Sequence, residues 1–374
     1  MSKAAELAKA GETLTNQPSG RKNIVTNGAM QIAQRATSTT GIGAADNVFP
    51  CVDRMKVRAG STAGRATVSQ AADGPSGFAN CLKFDCTTAD ASIAAGEYFL
   101  LQYGIEGQDL QQLKKGTSDA EKFTVSFYVK GNANATYTCE IKDQDNTRFI
   151  AQEFSVTSSW SKVSLTFNNE TSNSLDDDNA ESMRLTIWLH AGSTYTGGTF
   201  TSNTWFTTAN QRVGDNQTSF FDSTDREFFL TGVQMEIGSQ ATNFEHRSFG
   251  EELALCQRYC TVHNMSGDAD EYVIPYSQGQ VDSANRAEIH ILYPEKRAAP
   301  TITVTNPTNF KVMTGANTAI TAAGFSGALV GTGIHGANLF WGVSSGVAVN
   351  DHTGNIKNIY LFQNTGAITI DAEL

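Results

Sequence analysis

Residues 230–260 read LTGVQMEIGSQATNFEHRSFGEELALCQRYC. The stretch opens on a strand pattern, because apolar side chains alternate over residues 228–237 and a period of two is typical of a half-buried β-strand. A Gly-Ser turn follows at 238–239. A short amphipathic helix is then predicted over 251–259, with two acidic residues in its first turn, where the helix dipole favours them. This order predicts the end of a β domain and the beginning of a linker.

Short alternating strands recur on both sides of this stretch. They are separated by clusters of Gly, Asn and Asp such as residues 131–134 and 174–179, a pattern typical of antiparallel sandwiches. The apolar stripes occupy residues 123–129, 163–167, 183–189, 287–294, 299–304, 359–362 and 368–372. The sequence therefore predicts an all-β protein built of antiparallel β-sandwiches.

A chain of 374 residues is long enough for two domains. We predict one sandwich at 23–247, a linker helix at 248–262 and a second, smaller sandwich at 263–374. Residues 3–12 have the composition of a short helix, which alone is marginal in water. Residues 1–22 are therefore either a frayed tail or a docking peptide that orders against a partner.

Composition narrows the function classes. Charged residues make up 17% of the chain, Gly is abundant at 33 residues, and the formal net charge is −11. An acidic chain does not suit a nucleic-acid backbone, which needs Lys and Arg to replace counterions. No apolar run approaches the ~20 residues of a membrane span, and residues 1–17 lack the pattern of a signal peptide. We expect assembly in a cytoplasm, with neither nucleic-acid binding nor membrane insertion.

The six cysteines are scattered, and no pair has C-x-x-C or zinc-finger spacing. We therefore predict buried free thiols at positions 51, 81, 86, 139, 256 and 260.

Three phrases resemble a family of bacteriophage tail-fibre and virion appendage proteins. They are NGAMQIAQR within residues 24–35, the 230–260 stretch, and the terminal DAEL within 370–374, and they occur in the order of the family. A fourth phrase, residues 53–57, carries Met55 where the family has Trp. The resemblance covers nearly the whole chain.

The resemblance implies a jelly roll like those of carbohydrate-binding modules for the first domain. It also implies that residues 1–22 dock on phage tail adaptor or nozzle proteins, that the second domain is a receptor-facing tip, and that the fibre is a homotrimer in the virion. An ion pair of Asp53 with a neighbouring Arg is expected to tie the first strands together. Structural calcium is implied near Asn27 and Glu236, with no other cofactor.

Sugar binding is the activity that the resemblance favours. Aromatic rings stack on the C–H faces of pyranose rings, while polar groups bind hydroxyls. Trp188 lies out of phase with the apolar stripe at 183–189 and is predicted, together with Arg184, Thr186 and His190, on the opposite face. The candidate ligand-binding residues are Trp188, Tyr195, Trp205, His335 and Trp341. Packing of these rings under a loop or in a core is the alternative.

Catalysis and a calcium loop are both disfavoured by the sequence. The acidic clusters at 143–145 and 176–178 lie where turns are expected, and no His occurs in a catalytic motif. The alternation of Asp143, Asp145 and Thr147 lacks the Gly and the distal Glu of a calcium loop. We predict a non-enzymatic appendage subunit that binds neutral or cation-bridged host glycan. The alternatives are a head-decoration protein and a polysaccharide depolymerase with paired carboxylates.

Overall fold

The computed structural model describes residue 3 and residues 21–264, 272–273, 278–283, 286–314, 319–325, 332–343, 355–361 and 366–374. The chain forms two compact units, one of residues 1–252 with Leu374 and one of residues 253–373. The predicted N-terminal helix lies outside the described residues apart from residue 3.

Two six-stranded antiparallel sheets make up the described part of the first unit. Its strands are β1 (Ser38–Ala44), β2 (Asn47–Val48), β3 (Lys56–Gly60), β4 (Thr62–Ala71), β5 (Cys81–Thr88), β6 (Tyr98–Glu106), β7 (Phe123–Gly131), β8 (Ala135–Asp143), β9 (Arg148–Val156), β10 (Ser161–Phe167), β11 (Glu181–Ala191) and β12 (Glu227–Ile237). Sheet A has the order β1-β4-β5-β12-β7-β10, and sheet B has the order β2-β3-β6-β11-β8-β9. One apolar core takes side chains from both sheets, as expected for a sandwich.

Short helical turns interrupt the loops of this unit. Helix α1 is Ser193–Thr196, and single 3₁₀ turns occupy Gly107–Asp109, Gln111–Leu113 and Ala209–Gln211. Helix α2, Phe249–Gln257, follows β12. It begins two residues before the prediction because Ser248 accepts hydrogen bonds from the amides of Glu251 and Glu252, as an N-cap residue does. Gly250, which the predicted bounds leave outside, therefore lies inside the helix.

The second unit is also antiparallel. Its strands are β13 (Cys260–Asn264), β14 (Tyr272–Val273), β15 (Gln278–Ser283), β16 (Arg286–Leu292), β17 (Thr301–Thr305), β18 (Phe310–Thr314), β19 (Ala319–Phe325), β20 (Gly336–Val343), β21 (Asn355–Leu361) and β22 (Ala367–Asp371), with a 3₁₀ turn at Pro307–Asn309. One sheet is β13-β22-β17 and the other is β14-β21-β15-β16-β20-β19-β18. Strand β21 also pairs with β18, which closes the larger sheet on itself.

The antiparallel all-β class is thus confirmed, and the predicted strands are present near their predicted positions. All six cysteines are buried free thiols, also as predicted. Within the described residues, every helix falls short of the length and apolarity needed to traverse a bilayer.

The segments that carry the family resemblance contact one another in the first unit. The Asn23 amide group donates to the Val233 carbonyl and accepts from the Met235 amide, both at 3.1 Å. The Val233 amide donates to the Gly28 carbonyl at 2.9 Å. The Arg247 guanidinium donates to the Asn23 carbonyl at 2.5 Å. We call these contacts, which join the entering chain to β12 and its continuation, the N-terminal clasp.

Asn27 extends the clasp to helix α2 and to the phrase at residues 53–57. Its backbone amide donates to Glu252 Oε1 at 2.5 Å, and its side-chain amide donates to the Asp53 carbonyl at 3.0 Å. Arg35 lies 4.0 Å from the buried Asp53 carboxylate, which confirms the predicted ion pair. The clasp residues therefore hold the segment that enters the first unit against β12 and helix α2.

Candidate functional site

Trp188 lies on the outer face of sheet B, away from the main core, as its phase in the strand predicts. Its ring packs in a small separate cluster with Leu100 and Val213. Only 1% of its surface is exposed, because the loop that contains Arg212 and Val213 covers the ring. The structure therefore corrects one expectation. Trp188 is not exposed for stacking on a sugar. Its buried ring, which we call the floor, supports the side chains that lie above it.

Arg212 closes this floor. Its guanidinium carbon lies 4.9 Å from the centre of the Trp188 ring and 4.3 Å from that of Phe149. Its two nitrogens donate to the two oxygens of Glu140, which is fully buried. Burial opposes the charge of Arg212, but the Glu140 carboxylate outweighs burial and raises the pKa of the guanidinium. Arg212 therefore stays charged beside the buried Glu140 side chain.

Tyr195 and Tyr98 stand on the floor and are half-exposed. Tyr195, in α1, has its ring centre 4.9 Å from that of Trp188 and 5.8 Å from that of Tyr98, and the two tyrosine rings are nearly perpendicular at 88°. Arg58 donates to the Tyr98 hydroxyl at 3.3 Å and lies over its ring. Burial raises the pKa of Tyr195, so its hydroxyl stays protonated at neutral pH. We call Tyr98, Tyr195 and Arg58 the tyrosine surface.

The tyrosine surface offers what a sugar site needs. Two aromatic rings present apolar area, and two hydroxyls with one guanidinium offer hydrogen bonds. The sequence prediction included Tyr195 but missed Tyr98 and Arg58. Both sit at outward positions of β6 and β3, and Arg58 lies two register positions from Tyr98, opposite Leu100. Only the strand pairing brings them to Tyr195.

Trp205 belongs to a different part of the first unit. Its ring packs against the main core, its Nε1 donates to the Asn168 carbonyl at 2.8 Å, and the Lys115 ammonium lies 4.8 Å from the ring centre. With its N–H and one face already engaged, Trp205 acts as a packing residue here. The structure does not bring it to the tyrosine surface.

The acidic cluster at 143–145 forms the predicted hairpin turn between β8 and β9. Asp143 differs from an ordinary turn residue because its carboxylate is fully buried against Lys115 at 2.7 Å. Lys115 also contacts Glu170 at 3.3 Å. An ammonium group therefore occupies the position that a calcium ion would need at Asp143.

The calcium position implied near Asn27 and Glu236 stays a prediction. Asn27 Oδ1 accepts two backbone amides at 2.9 and 3.0 Å. Glu236 accepts three hydrogen bonds, from Gln234 and twice from Thr242, between 2.7 and 2.8 Å. A calcium ion there would have to share these oxygens.

The candidate residues of the second unit are placed only in part. His335 is exposed, and its carbonyl accepts the Tyr293 amide at 3.1 Å. Trp341 lies in β20, in register with Ala287 of β16 and Phe325 of β19, and its side chain lies outside the described residues. Their role at a receptor-facing tip stays a prediction.

No protein-family profile and no curated protein matches the chain. Among solved structures, the chain is similar to a family 4 carbohydrate-binding module, with 12% identity over 57% of this chain and 99% of that chain and a TM-score of 0.30. A family 61 module in complex with β-1,4-galactotriose matches with 9% identity, 58% and 99% coverage and a TM-score of 0.31. The family 11 module of a cellulosomal cellulase of Clostridium thermocellum matches with 11% identity, 54% and 99% coverage and a TM-score of 0.27. Similarity at these values does not specify a ligand for this chain.

Proposed function

We propose that this chain is a non-enzymatic subunit of a bacteriophage tail fibre or related virion appendage, and that it binds glycan on the host surface. The observation that carries the binding role is the tyrosine surface. Its two half-exposed rings rest on a buried floor whose charges are already paired, so the floor holds the rings without competing for the ligand.

The appendage role rests on the sequence phrases. In the first unit two of them contact each other in the N-terminal clasp, so the residues that carry the resemblance have a structural task there. Residues 1–22 dock on tail adaptor or nozzle proteins, and three copies assemble into a homotrimer that is part of the virion. Several weak sites then act together through their effective concentration.

The tyrosine surface suits a neutral glycan. Arg58 is its half-buried cation, and its partner is the Tyr98 hydroxyl, while the net charge of the chain is −11. Sugar hydroxyls fit a surface of rings and hydroxyls better than closely spaced phosphates, which the net negative charge of the chain repels. His335 and Trp341 are additional candidate glycan contacts, in the second unit, which forms the receptor-facing tip.

An array of bacterial surface polysaccharides, with neutral and phosphate-bearing members, tests this function on the full chain. The wild type and a Tyr128→Ala control should bind the same neutral members, and the Tyr98→Ala/Tyr195→Ala variant should bind none. Tyr128 is a matched control because it lies on β7 of sheet A and is also half-buried, with its ring centre 5.3 Å from that of Phe78.

Two other outcomes would point to the alternatives. Release of new reducing ends from a bound polysaccharide would make the chain a depolymerase and contradict the non-enzymatic role. Absence of binding to every member would favour a head-decoration or other purely structural virion protein.

A further inference from the structure

Three ionisable side chains meet at one end of the sandwich, where the chain passes from sheet A to sheet B. Asp90 follows β5, Glu97 directly precedes β6, and His190 lies near the end of β11. Their exposed fractions are 6%, 6% and 0%. One carboxylate oxygen or ring nitrogen from each residue lies within 4.8 Å of the others. We call these three residues the Asp-Glu-His cluster.

A β-bulge brings His190 into the cluster. Strand alternation alone predicts His190 on the outer face with Trp188, and the structure reverses this. Trp188 lies opposite Leu100, but the register then shifts and His190 lies opposite Phe99. Because directly opposed residues point to the same side of a sheet and Phe99 belongs to the core, His190 turns inward. Bulges commonly re-aim a side chain in this way next to functional sites.

The imidazole is oriented by a second contact. His190 Nδ1 lies 2.8 Å from Ser219 Oγ, while Nε2 is buried, has no hydrogen-bond partner and lies 3.5 Å from Glu97 Oε2. Ser219 Oγ can accept Nδ1–H, which leaves the lone pair of Nε2 directed at the carboxylates. A histidine that binds a metal through one nitrogen usually donates its other N–H in this manner.

The two carboxylates are held by donors from the chain. Asp90 Oδ2 accepts the Thr62 hydroxyl and the Ala63 amide, both at 2.8 Å, and Glu97 Oε2 accepts the Ala94 amide at 3.0 Å. Burial opposes ionisation of Asp90, but these hydrogen bonds outweigh it and lower the pKa of its carboxyl. These donors therefore fix the positions of both carboxylates at the cluster.

The cluster lacks an obvious positive partner. In the part of the chain that the structure describes, His190 is the ion-pair neighbour of Glu97, and no Lys or Arg pairs with Asp90 or Glu97. Burial lowers the pKa of His190 even though both carboxylates favour its charged form. Two buried carboxylates without a cationic side chain beside them favour a bound cation, because an uncompensated buried charge is strongly unfavourable.

We propose that Asp90, Glu97 and His190 bind one divalent cation of the zinc class, through one oxygen of each carboxylate and Nε2 of the imidazole. The three residues are buried and come from elements of both sheets, so a bound ion would link the two sheets. It shares no residue with the tyrosine surface, although Glu97 directly precedes Tyr98, and it does not depend on glycan binding.

One ligand separation and the donor types favour this class of ion. A tetrahedral zinc site with bonds of about 2.0–2.1 Å places neighbouring ligand atoms about 3.3 Å apart, and Nε2 lies 3.5 Å from Glu97 Oε2. That separation is long for a hydrogen bond. Imidazole favours zinc and similar transition metals, whereas calcium takes six to eight oxygens. Calcium is therefore the control ion in the titration.

The test is calorimetric titration of the EDTA-treated, dialysed full chain with ZnCl₂ and, separately, with CaCl₂, together with thermal unfolding in each salt. The wild type should bind one zinc ion per chain, unfold at a higher temperature with zinc, and respond weakly to calcium. Ser219→Ala should weaken zinc binding about 10- to 100-fold, and His190→Gln and Glu97→Gln should weaken it more. His246→Gln, at an exposed histidine of the same unit, should bind as the wild type does.

Several results would overturn the proposal. They are the absence of a bound zinc equivalent in the wild type, unchanged zinc binding in His190→Gln, and calcium binding as tight as zinc binding. If the cluster variants fail to fold, the visible absorption spectrum of Co²⁺ bound to the wild type replaces them as the test. Visible absorption typical of tetrahedral nitrogen and oxygen ligands, displaced by one equivalent of zinc, would support the site, and its absence would contradict it.

Discussion

Arg212 and Glu140 form a two-point ion pair directly beneath the tyrosine surface: Nε donates to Oε2 and Nη2 to Oε1, each at 2.7 Å. The Glu140 side chain is fully buried and that of Arg212 is 17% exposed. The guanidinium also covers the Trp188 ring. The same pair therefore neutralises a buried carboxylate and fixes the floor on which Tyr195 stands.

Removal of Arg212 is expected to be strongly destabilising. Arg212→Met leaves the Glu140 carboxylate buried without a partner, which costs about 3–5 kcal/mol in comparable cases. Urea unfolding followed by tryptophan fluorescence measures the loss in the free energy of unfolding.

The double variant Arg212→Met/Glu140→Met separates charge from packing. It should recover much of the stability, because no buried charge remains. Equal stability of the single variant and the wild type would show that the pair does not neutralise Glu140 in the way described.

Gly28 is expected to tolerate no side chain. A Cβ atom at Gly28 would lie 2.0 Å from the Val233 carbonyl oxygen, and a backbone atom cannot move aside as a flexible side chain can. Gly28→Ala should therefore lower the free energy of unfolding by about 1–3 kcal/mol. Gly96→Ala is the control, since a Cβ there meets nothing within 4 Å, and it should be nearly neutral. Similar stabilities for the two variants would argue against the N-terminal clasp.

His263 should make the stability of the second unit depend on pH. Burial, followed by the nearby Lys296 charge, lowers the pKa of His263 from 6.5 to about 4. The unfolded chain then binds more protons between about pH 6.5 and 4, so stability is fully present above this window and is lost as pH falls through it, by up to about 3 kcal/mol.

A difference measurement isolates this contribution from other titrating groups. Denaturant unfolding of the wild type and of His263→Gln between pH 7 and 4 should show a steeper loss of stability for the wild type. His335→Gln, at an exposed histidine, should follow the wild type. Parallel curves for wild type and His263→Gln would show that the buried imidazole does not set this pH dependence.

Local features of the fold could be predicted from the sequence, because they depend on neighbouring residues. The alternation around Phe228 predicted β12, and the phase of Trp188 predicted that its ring faces away from the main core. A period of two is visible within one strand and needs no knowledge of the partner strand.

Features that depend on distant residues could not be predicted in this way. The Lys115 partner of Asp143 lies 28 residues away, and the loop that buries Trp188 comes after α1. The bulge before His190 turns this side chain to the opposite face of the sheet, and nothing in the hydrophobic pattern of the sequence indicates it. The same limit applies to the β21–β18 pairing, which closes a sheet between strands far apart in the chain.

Assembly is a separate expectation. Light scattering at neutral pH should give the mass of three chains for the full protein, because the resemblance implies a homotrimer. Deletion of residues 1–22 should leave the folded units intact by circular dichroism and abolish the trimer if this segment is an assembly element as well as a dock. A monomer for both proteins would contradict the fibre assignment and favour a decoration protein.

The most direct test of the central claim is equilibrium binding of an array-selected neutral polysaccharide to the wild type, Tyr195→Ala, Tyr98→Ala/Tyr195→Ala and the Tyr128→Ala control. If the tyrosine surface binds the sugar, Tyr195→Ala should weaken binding at least tenfold, a loss of about 1.4 kcal/mol, the double variant should abolish it, and the control should match the wild type. Unchanged affinity in the folded double variant would contradict the account.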